Sequence, residues 1–315
     1  MLQKLTHAVP LYSERRLIKY YWERTKRRRT AVFGLIFIVF LILVAIIGPF
    51  FTLDPTLVNF DEKSTPPPGF KTSQSVYDRN TGKFTAKEVR GTWKHPLGTD
   101  EKGRDMLAML VSGARLSLMV GFTATFMAVF IGTFIGTASA YLGGIADAVI
   151  MRFTDVMMTF PFFLLLVLVV FIFGPKVIFI ILAIGLTGWT GISRLVRSEV
   201  LSLRSREFIL ASRALGAGTA RIIFRHLIPN VMSTVIIIAT LSIPGVILSE
   251  AALSFIGLGD PSVTSWGLIL KSGFDTIDRA WWVAVEPGLM LFFTSIALNF
   301  LGDGVRDAFD PRSQI

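Results

Sequence analysis

The sequence predicts an all-α integral membrane protein with six transmembrane helices and both termini in the cytoplasm. Three observations carry that expectation. Mean hydropathy is +0.60 and only 17% of the 315 residues are charged, against roughly 25% in soluble domains. The apolar residues fall in long uninterrupted runs. Lys and Arg cluster beside those runs: of 32, nine precede the first run and seven lie between Ser193 and Asn230. The formal charge of +10 therefore reads as positive-inside topology and not as a nucleic-acid surface.

The first run, Ala31–Phe51, holds 21 residues, which at about 1.5 Å per residue crosses a hydrocarbon core of about 30 Å. The segment before it, residues 1–30, is too long and too basic for a signal peptide, and no A-x-A-like cleavage site follows. The run is thus a retained span. Lys26, Arg27, Arg28 and Arg29 place its start in the cytoplasm. Leu11, Leu17, Ile18, Tyr21 and Trp22, set among basic residues, fit either an interfacial helix or a basic tail.

A polar segment, residues 52–115, follows on the outer side. It contains Pro66-Pro67-Pro68-Gly69 and an expected turn at Asn80-Thr81-Gly82, and balances ten Lys or Arg against eight Asp or Glu. Asp100, Arg104 and Asp105 are expected to cap and pair within a short surface helix. The remaining core, residues 116–304, carries five further spans: Leu116–Leu142, Val156–Phe173, Val177–Ile192, Val231–Ile256 and Val283–Leu301. Gly174-Pro175-Lys176 forms a tight turn between the third and fourth. Gly132, Gly136 and Ala140 in the second span fit close helix packing or ordinary membrane composition. Six spans return the tail, residues 305–315, to the cytoplasm, together with Tyr141–Asp155 and Ser193–Asn230.

The loop 193–230 is longer than a connection between spans needs to be. Within it, Phe208, Ile209, Ala211, Ser212 and Leu215 fit a short helix, Gly216 and Gly218 break it, and Pro229 precedes the fifth span. Basic and small residues on a short cytoplasmic helix fit a docking surface or a solvated connector. The loop resembles the cytoplasmic coupling loop of binding-protein-dependent ABC importer permeases, whose pattern is E-A-A-x-x-x-G-x9-I-x-L-P. The matching positions are Leu210, Ala211, Ser212, Gly216, His226, Leu227, Ile228 and Pro229. Leu210 stands for the motif's glutamate, Ser212 for its second alanine and His226 for its isoleucine; Glu207 is a nearby acidic residue. His95–Gly121, Ser249–Leu270 and Ala297–Arg312 resemble the dipeptide/oligopeptide C-type permeases.

That resemblance implies a type I ABC importer permease fold. The implied partners are a homologous second permease subunit, two ABC ATPase subunits, an extracytoplasmic substrate-binding protein and membrane lipid, with no nucleic acid. Glu207, Leu210, Ala211, Ser212, Gly216 and Pro229 would carry ATPase coupling. The implied cargo is di- or oligopeptides, with nickel, glutathione or oligosaccharides as alternatives. No cofactor or metal is expected on this chain, since ATP would be bound by the partner subunits. The residues agree: no G-x-x-x-x-G-K-[ST] cradle and no G-x-S-x-G occur. There are no cysteines, and His7, His95 and His226 are scattered. A catalytic role is not expected, and an ion-coupled secondary transporter is the alternative of another class, weakened by the near absence of ionisable residues in the span cores. Pro161 and Pro244-Gly245 either open backbone groups onto a path or are packing kinks. Ser242, Pro244, Ser249 and Glu250 are the candidates for facing the translocation path.

Overall fold

The computed structural model describes residues 28–78 and 83–309. The expected interfacial helix around Leu11–Trp22 and the turn at Asn80-Thr81-Gly82 lie outside the described residues. The elements in chain order are α1 (Arg29–Ile47), β1 (Lys71–Asp78), β2 (Lys83–Arg90), α2 (Met106–Leu142), α3 (Gly144–Thr159), α4 (Phe162–Phe173), α5 (Val177–Arg204), α6 (Glu207–Ala214), α7 (Thr219–Ile222), α8 (Ile228–Leu253), α9 (Trp266–Asp275) and α10 (Trp281–Phe309). Among the described residues, five helices are long and apolar enough to cross a membrane, and six spans result when the bent pair α3–α4 counts as one.

The helices outrun the apolar runs that announce them. Helix α2 begins ten residues before the expected Leu116. Asp105 takes extended backbone geometry and its carboxylate accepts the Ala108 N–H, capping the helix. Its first turns bury Met106, Met109 and Leu110. The expected outer pair is therefore a cap and a loop and not a short helix: Asp100 accepts from the backbone of Lys102 and Arg104 and from the Arg104 guanidinium at 2.7 Å. Helix α5 continues past Ile192 to Arg204, so the first third of the expected loop 193–230 is helical. Helix α8 starts at Ile228 with Pro229 in its first turn, where a missing N–H costs nothing.

The two prolines behave differently. The expected span Val156–Phe173 is two helices meeting at 82°. Pro161 cannot donate, and it holds Phe160 in extended geometry (φ −80°, ψ 131°). Pro244 lies inside α8, which runs on through it.

Helices α2 and α5 form the most extensive pair, and glycine makes it possible. A Cβ on Gly132 would lie 2.8 Å from the Trp189 carbonyl, and one on Gly136 would strike the Ser193 carbonyl. The small-residue series is thus a helix–helix contact surface, in which backbones meet by dispersion because lipid supplies no hydrophobic drive. Helix α1 packs likewise on α10, with Gly34 against the Ala297 carbonyl.

The outer side holds features the apolar pattern does not announce. Strands β1 and β2 form an antiparallel hairpin pairing Lys71 with Arg90. It is tied down where the Thr72 hydroxyl donates to the Arg279 carbonyl at 3.0 Å and Phe70 meets Trp281 edge-on. Two buried indoles fasten the outer cap: Trp266 donates to the Leu110 carbonyl and Trp282 to the Thr99 carbonyl, each at 3.0 Å. Glu62 accepts from Lys94 at 2.5 Å and faces His95 Nε2 at 3.2 Å, while His95 Nδ1 meets Asp105 at 2.6 Å. This cluster fastens the residues before the hairpin to the cap of α2.

Two outcomes follow. Gly136→Leu forces α2 off α5 and costs about 1–3 kcal/mol, seen as a lower Tm in detergent; an unchanged Tm contradicts the close approach. The Lys94 hydrogen bond, and after it the His95 contact, hold the Glu62 carboxyl below its ordinary 4.5. A depressed carboxyl stabilises the fold above its unfolded value, and that contribution is lost as pH falls through the folded one. Protease cleavage of the outer segment should therefore accelerate as pH drops below about 4.5, and Glu62→Gln should flatten the dependence; identical profiles contradict it.

Candidate functional site

Helix α5 delivers the chain to the cytoplasmic end of the bundle, where Ser205 closes it and Arg206 opens α6. Helix α6 ends in a left-handed glycine. Gly216 has φ +79°, a conformation glycine reaches without the cost a Cβ imposes. The Ala217 N–H donates to the Ser212 carbonyl and the Gly216 N–H to the Arg213 carbonyl, the paired closure that satisfies a helix's last carbonyls. Gly218 has φ −68° and opens the short helix α7. A π-turn over Ile223–Leu227 then leads into α8.

Three aliphatic side chains hold this segment to the bundle. Ile209, Ile222 and Leu227 are each 0% exposed. They pack in one cluster with Ala140 of α2, Ile192, Val196, Val200 and Leu203 of α5, and Val231 and Val235 of α8. Burying one such side chain contributes about 1.5–3 kcal/mol. The Arg213 guanidinium also lies 5.0 Å above the Tyr141 ring, linking α6 to the end of α2.

What remains is presented outward. Glu207, Leu210, Ala211, Gly216 and Pro229 are exposed, and Ser212 is half-buried with its hydroxyl donating to the Phe208 carbonyl. Leu215 is 88% exposed, a large apolar side chain left bare. Glu207 sits in the first turn of α6, where a negative charge suits the helix dipole. His226, in place of the motif's isoleucine, lies beside Phe208 with ring centres 6.4 Å apart. Sequence reasoning found the outward face and missed its anchors. The spacing of Ile209, Ile222 and Leu227 across a glycine break follows no single helical period.

The path candidates on α8 do not share one open face. Ser242 and Ser249 return their hydroxyls to the carbonyls of Ile238 and Gly245. Pro244 is buried. Glu250 is 2% exposed, and its carboxylate accepts from Ser117 at 3.2 Å and Ser254 at 2.7 Å. In this chain it fastens α8 to α2.

Comparison with known proteins places this architecture. Residues 128–315 match the family described as binding-protein-dependent transport system inner membrane component. Residues 16–67 match the N-terminal TM domain of oligopeptide transport permease C. The oligopeptide transport system permease protein OppC of Escherichia coli K12 is 37% identical over 93% of this chain and 92% of its own length. OppC of Haemophilus influenzae is 36% identical over 93% and 89%, and the dipeptide transport system permease protein DppC of Bacillus subtilis is 36% identical over 92% and 84%. Among solved structures, the inward-facing MetNI methionine ABC transporter matches with a TM-score of 0.54 at 22% identity, covering 65% of this chain and 98% of that one; at that identity it speaks for the fold alone. The chain belongs to the family of binding-protein-dependent transport inner-membrane components, as a non-catalytic permease subunit of an ABC importer whose ATP is hydrolysed on separate subunits.

Proposed function

We propose that this permease pairs with a homologous second permease to enclose one path, takes two ATPase subunits on its cytoplasmic side, and moves di- or oligopeptides delivered by an extracytoplasmic binding protein. The cargo rests on the relatives, whose names are those of oligopeptide and dipeptide systems. The docking surface rests on one observation: α6 and its glycine turn are anchored by three buried aliphatic residues yet hold Leu210 and Leu215 bare to the cytoplasmic side. A solvated connector has no use for an apolar outer face on a rigid mount. A large exposed apolar side chain on a rigid mount is the kind of anchor by which interfaces gain their affinity.

On this reading nucleotide-driven closure of the ATPase pair displaces α6. The anchors pass that displacement to α2, α5 and α8, so that nucleotide shifts the balance between inward-open and outward-open states. Glu207 and Ala211 lie on the docking face; Gly216 sets the direction in which the chain leaves it; Ser212 accepts the Ala217 N–H that closes α6, and Pro229 lies in the first turn of α8.

Leu210→Asp with Leu215→Asp should abolish copurification of the ATPase subunits while leaving the stability within about 0.5 kcal/mol of the unaltered chain, as expected of surface changes. Retained copurification overturns the docking assignment. Ile209→Asp behaves differently, because it buries an unpaired charge: it should cost about 3 kcal/mol or more and lower Tm directly. For the cargo, uptake of a labelled tripeptide into proteoliposomes with the binding protein and ATPases is the test; uptake of nickel in its place contradicts the peptide assignment.

A further inference from the structure

Helix α3 is attached in an unusual way. Of its 16 residues only Thr154 is buried, while Ile145, Val149, Phe153 and Val156 are exposed. An apolar face holds most helices to their neighbours; here one aromatic contact, Phe153 stacked on Trp189 of α5 with ring centres 6.3 Å apart, is joined by ion pairs. Asp147 takes a two-pronged grip from Arg197 of α5, Nε to Oδ1 at 2.6 Å and Nη2 to Oδ2 at 2.5 Å, and Ser139 of α2 donates to the same carboxylate. Asp155, two turns along α3, pairs with Arg194. Arg194 and Arg197 stand three apart and share one face of α5.

The same helix reaches the corner between α2 and α3 once more. Arg204 donates to the Ala140 carbonyl at 2.8 Å, at the negative end of α2 where a cation is favoured. Gly143, with φ +66°, leaves the space this needs: a Cβ there would stand 2.8 Å from the Arg204 guanidinium. Three of the seven arginines that mark the loop as cytoplasmic, Arg194, Arg197 and Arg204, thus engage α3 and the end of α2. Side chains of Arg197 and Asp147 are 31% and 16% exposed, so the pair is shielded and less screened than a surface ion pair.

We propose that Asp147 and Arg197 are a positioning pair that makes α3 move with α5 and α6, so that displacement of the docking segment is carried through the 82° elbow at Pro161 into α4. This rests on the reading of α6 as the ATPase docking element. A two-pronged arginine–carboxylate pair is suited to the task because it fixes orientation as well as distance. Phe153 stacked on Trp189 of α5, with the exposed Arg194–Asp155 pair beside it in sequence, attaches the far part of α3, and two points separated along a helix define its direction.

The test uses the assembled complex with ATPases and binding protein. The chain has no cysteine, so spin labels enter cleanly at Ser198→Cys on α5 and Val149→Cys on α3. In the otherwise unaltered chain the distance between labels should stay the same with and without ATP and vanadate. Asp147→Asn should broaden and shift that distance on nucleotide binding. It should also lower the stimulation of ATPase by loaded binding protein about tenfold, within the range of ordinary coupling energies, with copurification and basal ATPase retained. Arg197→Gln should do the same, and the double variant should be no worse than either single one. Should Asp147→Asn fail to assemble, Arg197→Lys keeps the charge, loses the two-pronged geometry, and carries the same comparison. Unaltered distances and stimulation in the variants overturn the proposal, as does a label distance that changes with nucleotide in the unaltered pair. Loss of ATPase copurification by the complex itself would instead count against the docking assignment.

Discussion

The cytoplasmic face depends on the burial of Ile209, Ile222 and Leu227. A chain of some two dozen residues between α5 and α8, rich in Arg and interrupted by glycine, has too little apolar surface to fold on its own. By inserting three aliphatic side chains among α2, α5 and α8 it borrows the core of the bundle. The remaining features follow: α6 has a fixed direction, Gly216 closes it with its carbonyls satisfied, and Leu210 and Leu215 are held outward.

The membrane imposes the complementary constraint. Inside hydrocarbon, backbone groups must be satisfied within the helix, and association comes from close fit. Gly132 and Gly136 let α2 lie against the α5 backbone, which fixes the two helices on which both the α6 segment and α3 are mounted. Where the chain leaves the hydrocarbon the means change. Outside, indole N–H groups and the Glu62–His95–Asp105 cluster fasten the loops; inside, arginines fasten α3. Positive charge near the cytoplasmic ends serves both the topology rule and these specific pairs.

Much of this was legible in the sequence, for physical reasons that also mark where legibility stopped. Spans show because lipid demands long apolar runs. The extension Ser193–Arg204 does not, because helix continuing beyond the hydrocarbon turns amphipathic and resembles loop by hydropathy, whereas Met106–Arg115 is itself apolar and is set apart from the second run only by Ser112, Gly113 and Arg115. Pro161 and Pro244 have the same chemistry; Phe160 is exposed and can leave the helix, whereas α8 around Pro244 is buried against its neighbours. The coupling motif was readable at Gly216, which backbone geometry demands, and at Pro229. Leu210, Ser212 and His226 depart from it at positions that are exposed or half-buried, where the fold tolerates substitution. The partners of Asp147 and Arg204 lie tens of residues away, and no local pattern announces them.

The central claim is that the segment between α5 and α8 lies inside the cell and is held by an ATPase. A single Leu215→Cys variant tests both halves, since this chain has no other thiol. A membrane-impermeant maleimide should label it only in inside-out vesicles, and a short bifunctional cross-linker should join it to an ATPase subunit in the assembled complex. Labelling from the outer face of sealed right-side-out vesicles, or no cross-link in an assembled complex, would contradict the account.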